Sequence, residues 1–281
     1  QMVTINVAQC FGMDRDLGSI SPGRWADIVL LSDLTQVKVE KVLINGEVVA
    51  EGGKTIVDIP AGVYPEYSKD TMKVGRELTP QDFVIHVEDK SKGTAVARVM
   101  EIVEAKVNTY ARECTMPIVD GVLEVDVEQD IIKAAVVERH KATGTMGKGL
   151  VKGFNIKEGA IASTVAHDAH NLLIIGVNDD DMALAANTLI EAGGGMVVVK
   201  DGEVIGLLEL PIAGLMSELP AEEIAKKVEL LGEAWKELGC NLVSPFMTMA
   251  LLSLAVLPEL RLTNRGLVDT VDFKFTDLVV E

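Results

Sequence analysis

Short alternating runs of apolar and polar residues dominate this chain, and helical spacing takes over in a few places. Lys41–Ile44 and Glu47–Ala50 flank Asn45-Gly46, a pair suited to a turn with both residues at positive φ, and so predict a hairpin. Ile28-Val29-Leu30-Leu31 reads as a strand preceded by the Ser21-Pro22-Gly23 turn, with Asp27 placed to accept backbone N–H groups. Residues 1–12 read as a helix already under way, with no cap before it, as in a truncated or internally started chain. Pro60, Gly62, Pro65, Gly75 and Pro80 mark residues 61–80 as a linker or wrapping segment.

Beyond it the pattern predicts strands at Phe83-Ile85-Val87, 95–103, 132–137, 160–166 and 171–177. Asn178 and the Asp179–Asp181 run cap a helix bearing Met182, Ala186 and Leu189 on one face, ended by Gly193-Gly194-Gly195. Met196–Leu207, turning at Asp201-Gly202, is a second hairpin. Ile224, Val228, Leu231, Trp235 and Leu238 predict a helix over 220–238. Phe246–Leu257 reads as a core helix too short to span a bilayer. The expected class is α+β: a small strand-rich unit over residues 13–60, then a mixed unit over residues 81–281 with a sheet covered on one side by helices.

Composition narrows the function classes. The 281 residues are 48% hydrophobic but only 4% aromatic, so the core is aliphatic. With 26 Lys and Arg against 43 Asp and Glu, the formal charge is −17, which argues against nucleic acid and gives no sign of a membrane partner. Cys10, Cys114 and Cys240 lack metal-site spacing and fit a reducing cytoplasm.

Chemistry concentrates in two polar stretches. His167-Asp168-Ala169-His170-Asn171 interrupts two apolar runs and reads as a loop at the mouth of a strand pair. His167 and His170 are weak metal candidates, with Asp168 as a third ligand or an orienting carboxylate; a substrate or domain-interface role and a hydrogen-bonded turn are the alternatives. The second stretch, Glu138-Arg139-His140-Lys141 through Gly149, is basic and Gly-rich. It matches no phosphate-binding fingerprint and reads as a surface loop, a lid or a docking edge. Placing Arg139, His140 and the 167–171 loop side by side would gather three of the four histidines. No GxSxG, HExxH or early His-x-His occurs, so no catalytic residue is assigned.

Gly18–Ile28, Glu138-Arg139-His140 with Thr143-Gly144, Gly159–Ser163 leading into His167–Asn171, and Leu262–Asp269 occur in an order that resembles the bacterial-type adenine deaminases, metal-dependent amidohydrolases. The resemblance implies that residues 1–12 end a catalytic barrel, that 13–60 form part of a composite β-sandwich, and that 81–281 are the C-terminal domain. It implies hydrolysis of adenine to hypoxanthine and ammonia by a metal-activated hydroxide (Mn or Fe, possibly Zn), with the ligands in the barrel. This portion is then expected to bind no metal and to be inactive alone, to pack against its own N-terminal barrel, to join a homo-oligomer and to lie in the cytoplasm. The rivals are a non-catalytic binding or oligomerisation module and part of another amidohydrolase acting on cyclic amides.

Overall fold

The computed structural model describes residues 1–60, 62–88 and 93–280. The chain folds as two compact units, 1–62 and 63–281.

Unit 1 holds a short helix α1 (Ile5–Cys10) and one antiparallel sheet in the order β1 (Ile28–Asp33), β2 (Lys38–Ile44), β3 (Glu47–Glu51), β4 (Lys54–Thr55). The helix is shorter than the expected 1–12. Thr4 provides no side-chain cap, and Gly12 at φ 68° turns the chain away. Asn45 and Gly46 take φ of 50° and 82°, the geometry that joins β2 to β3. The Asp27 carboxylate accepts the Asn45 N–H at 2.9 Å and holds that turn against the start of β1. Among the described residues of unit 1, Ala8 is the sole buried apolar side chain. Val7, Phe11, Ile20, Trp25 and Val29 line an open hollow of about 570 Å³. A single sheet with one face this bare has no core of its own.

Unit 2 is built on a nine-stranded sheet. Its strands are β5 (Thr94–Ile102), β6 (Thr109–Val119), β7 (Val122–Leu123), β8 (Ile131–Val137), β9 (Met146–Lys152), β10 (Ala160–Ser163), β11 (Leu172–Gly176), β12 (Gly195–Lys200) and β13 (Glu203–Glu209). The spatial order is β13-β12-β10-β11-β8-β9-β5-β6-β7. Every pairing is antiparallel except β5 with β9, which is parallel. Every residue of β8, β10 and β11 is buried, so these strands are near-continuous apolar runs rather than alternating ones, broken only by Lys133, which pairs with Asp179, and Ser163.

Helices cover both faces, not one as expected. Ala160, Ala162, Ile174, Val197 and Val199 pack with Met182, Ala186 and Leu189 of α3 (Asp179–Glu191). The intervening residues Ile161, Leu173, Ile175 and Val198 pack with Leu231, Ala234 and Trp235 of α4 (Ala221–Glu237). The period-2 pleat sends alternate residues to opposite faces, and both sets are apolar, so each face recruits a helix.

Three other expectations are corrected. Phe83-Ile85-Val87 is not a strand: Thr79 and Asp82 form a capping box around Pro80, starting the short helix α2 (Pro80–Phe83). The expected strand 160–166 stops at Ser163, because Thr164 turns to bond Gly195 and Gly214. The expected helix 246–257 survives only as α5 (Pro245–Ala250). Beyond it the carbonyls of Ala250, Leu251 and Leu257 accept from His167 N–H and from two groups of the Arg261 guanidinium, in place of the N–H four residues on.

A third sheet, β14 (Leu260–Thr263), β15 (Gly266–Asp269), β16 (Lys274–Thr276), lies against β9. Its approach explains the glycines of the supposed surface loop. A β-carbon on Gly147 would stand 1.9 Å from the Thr263 carbonyl oxygen, and one on Gly149 would touch Leu262 and Leu267 at 3.3–3.5 Å. Residues 146–149 are therefore core strand, not loop.

Candidate functional site

The loops at one end of β8, β10 and β9 carry the polar residues singled out in the sequence. Arg139 lies two residues past the end of β8 and is 1% exposed. Its guanidinium donates from Nε to the His170 carbonyl at 2.5 Å, from Nη1 to the Thr71 carbonyl at 3.1 Å, and from Nη2 to the Ala213 carbonyl at 2.9 Å. Burial lowers its pKa to about 10, so it remains charged at neutral pH. Backbone dipoles, rather than a carboxylate, compensate the charge. Arg139 thereby joins the 63–80 segment, the 164–171 loop and the turn at 211–216.

Neighbouring contacts tighten the node. His140 Nε2 donates to the Ala169 carbonyl at 2.7 Å; because that oxygen only accepts, Nε2 carries the proton. The Glu138 carboxylate accepts the N–H groups of His140, Lys141 and Thr143 at 2.6–3.1 Å and the Thr143 hydroxyl at 3.0 Å. Burial alone would raise the Glu138 carboxyl, but these donors hold it below its ordinary value. Thr143 Oγ1 meets Thr145 Oγ1 at 2.9 Å, Asn264 Nδ2 donates to Thr145 at 2.8 Å, and Asn171 Nδ2 donates to Asn264 Oδ1 at 3.3 Å. Arg139, His140, His170 and Asn171 thus meet in one network, with the loop residues His167 and Asp168 alongside.

The two histidines of the loop stand edge to face, ring centroids 5.4 Å apart. His170 Nδ1 accepts the Ala166 N–H at 3.2 Å, so only Nε2 is left for another partner. Burial, with help from the neighbouring His167 and Arg139, lowers the His170 pKa and keeps the ring neutral. Among the described residues no group of three or more His, Cys, Asp or Glu side chains is arranged to hold a metal ion. His167, His170 and exposed Asp168 form no such group.

Beside the loop lies a cleft of about 430 Å³. Asp168, Asn171, Asn264 and Arg265 supply its polar groups, and Leu254, Val256, Val268 and Phe275 its apolar wall. The Arg265 guanidinium rests on the Phe275 ring, 4.9 Å from its centre. Asn264 and Arg265 form the turn between β14 and β15; sequence reasoning missed their part in the site, although the polar pair inside Leu262–Asp269 marked a turn between apolar runs.

The geometry defines unit 2 as an α+β domain whose polar centre holds loops together; among its described residues no nucleophile stands paired with a base and an oxyanion donor. Residues 106–274 match the family described as adenine deaminase C-terminal domain, and residues 1–49 match the amidohydrolase family. The chain belongs to the adenine deaminase C-terminal domain family. It is 58% identical over 279 residues to an adenine deaminase of Moorella thermoacetica, covering 99% of this chain and 47% of that protein. Identity is 58% over 281 residues with an adenine deaminase of Clostridium botulinum, and 44% over 281 residues with adenine deaminase 3 of Rhizobium meliloti; each match covers all of this chain and 47% of the relative. The chain thus spans about half the length of the curated relatives it matches.

Proposed function

We propose that this chain is the C-terminal half of an adenine deaminase that hydrolyses adenine to hypoxanthine and ammonia. One observation carries the reading: 58% identity runs through 99% of the chain to a protein bearing that name. On this reading residues 1–12 close a catalytic barrel, residues 13–60 are one layer of a composite β-sandwich, 61–80 link it onward and 81–281 form the C-terminal domain. The bare apolar face of unit 1 supports this, because such a face needs a covering layer from elsewhere in the polypeptide.

On the same reading the divalent metal (Mn, Fe or Zn) that activates water belongs to the barrel half. Arg139, His140, His167, Asp168, His170 and Asn171 are then domain-interface or substrate-proximal residues rather than catalytic ones. The protein works as a homo-oligomer in the cytoplasm. No helix among the described residues is long and apolar enough to cross a membrane.

The test is an ammonia-release assay on adenine. A polypeptide joining the barrel half to this chain is expected to turn over, and the 281-residue chain alone is not. Turnover by the chain alone with added Mn²⁺, or none by the joined protein loaded with metal, overturns the reading.

A further inference from the structure

Residues 68–83 are fastened to the rest of unit 2 at three places. At the start the Ala213 N–H donates to the Ser68 carbonyl at 2.6 Å, and Lys69 pairs with Glu218 at 2.8 Å. In the middle the Arg139 guanidinium holds the Thr71 carbonyl; the Lys73 N–H donates to the Arg139 carbonyl at 2.7 Å, and the Ala142 N–H to the Lys73 carbonyl at 2.8 Å. At the end the Asn187 amide of α3 closes on both main-chain groups of Leu78, accepting its N–H at 2.9 Å and donating to its carbonyl at 2.7 Å. Val74, Leu78 and Phe83 are buried in the core that α3 makes with the sheet. Buried apolar side chains hold more strongly than a solvent-accessible ion pair, so the firm seat lies at 74–83 rather than at Lys69.

The middle anchor is shared with the 164–171 loop. Arg139 also holds the carbonyls of Ala213 and His170, and the Thr164 hydroxyl donates to the Gly214 carbonyl at 2.6 Å. Within the loop the His170 N–H donates to the Ala166 carbonyl at 2.7 Å, and the His167 N–H reaches the Ala250 carbonyl at 2.9 Å. A guanidinium carries its donors in one rigid plane. Among the described residues Nη1 bonds Thr71 alone. If Thr71 withdraws, a buried donor is left unmet, which is costly, so the plane reseats and carries Nε and Nη2 with it.

We infer that residues 66–83 are a docked strap whose seating sets the 164–171 loop, so that lifting the strap releases the loop. Asp168, Ala169 and Asn171 of that loop line the cleft, so whatever draws the strap away acts on the cleft without entering it. The coupling is reciprocal: what steadies the loop steadies the strap. It stands on contacts within unit 2 and does not depend on the deaminase reading.

Amide hydrogen exchange followed by NMR on the 281-residue chain tests it. Asn187→Ala removes the clamp on Leu78; among the described residues the Asn187 amide bonds Leu78 alone. The Lys73 and Leu78 amides are expected to exchange at least tenfold faster. The His167 and His170 amides should follow by fivefold or more, while Ile161 and Ile174 in the central strands keep their rates. Should Asn187→Ala not fold, Asn187→Asp, which loses only the donor to the Leu78 carbonyl, is read in the same way. In the reverse direction Ser253→Ala, which removes the hydroxyl bonded to the His167 carbonyl, should speed Lys73 as well as His167. Strap amides that keep their rates in the Asn187 variants overturn the docking. Strap amides that open while His167 and His170 stay protected overturn the coupling, as does a Ser253→Ala effect confined to the loop. An equal rise at Ile161 and Ile174 marks general loosening and overturns it too.

Discussion

Arg139 Nε and the carbonyl oxygen of His170 lie 2.5 Å apart although thirty-one positions separate the two residues in the chain. The contact ties the 164–171 loop to the end of β8, and the rest of the guanidinium is held by Thr71 and Ala213. Replacing Arg139 with Met leaves three part-buried carbonyls without these donors. At roughly 1–3 kcal/mol for each orphaned group, partly relieved by water, the expected loss is about 3 kcal/mol. Urea unfolding of Arg139→Met should show it, and Arg139→Lys should recover only part, since one ammonium cannot reach three separated carbonyls.

Gly147→Ala places a methyl 1.9 Å from Thr263 O and 2.8 Å from Gly266 N, both main-chain atoms that cannot yield without moving a strand. The expected cost is about 3 kcal/mol, at the upper end for overpacking. Gly149→Ala meets only leucine methyl groups at 3.3 Å and beyond, and should cost clearly less. Thermal denaturation of the pair distinguishes the two; equal shifts would contradict the packing of β14 and β15 on β9.

Acid should loosen the Arg139 node in two stages. His170 has a folded pKa below the ordinary imidazole value, so the unfolded chain takes up its proton first. Its stabilising contribution is complete above about pH 6.5 and declines as pH falls through the lower folded value. Glu138 is also depressed; its contribution is complete above the ordinary carboxyl value and is lost as pH falls through the folded one. Stability measured by urea unfolding should therefore fall steadily below about pH 6. Glu138→Gln should flatten the more acidic part of that profile, and NMR titration should place the His170 midpoint below about 6.5.

If the metal resides in the barrel half, His167→Ala and His170→Ala in the joined protein should leave its metal content unchanged by elemental analysis. A loss of half or more would restore the pair as ligands.

The bare face of unit 1 predicts strong binding of an apolar dye such as ANS by the 281-residue chain, and much weaker binding once the barrel half is joined to it. Equal fluorescence would show that the hollow lined by Phe11, Ile20 and Trp25 stays open.

The parts of the fold legible in the sequence are those set by local rules. Asn45-Gly46, the Asn178 cap of α3 and the spacing of Leu231 and Trp235 on α4 each depend on neighbours within one turn, and each stands where the pattern puts it. The illegible parts depend on distant chain. Nothing near Gly147 announces that residues 262–267 will lie on it, so a buried strand read as a mobile loop. The helix after Phe246 ends early, and Arg261 takes the Leu251 carbonyl beyond it, a contact no periodicity encodes. Phe83-Ile85-Val87 misled because period 2 outweighed the capping box at Thr79. At the site, the polar interruption at His167–Asn171 was visible, but its partner Asn264 lies ninety-three positions away.

The parallel seam of the large sheet has a consequence for how unit 2 comes into being. Along β5 the neighbour is β9 at Val99–Glu101, and a segment near residue 279 takes over at Ala97, where Arg98 N–H meets the Leu278 carbonyl at 2.8 Å. The Arg98 guanidinium also holds the Asp277 carbonyl, 179 positions further along. A nascent chain emerging from the ribosome cannot seal this join until nearly all of unit 2 has been made. This edge of the sheet is therefore completed only late in synthesis, and pieces that end before residue 277 lack it.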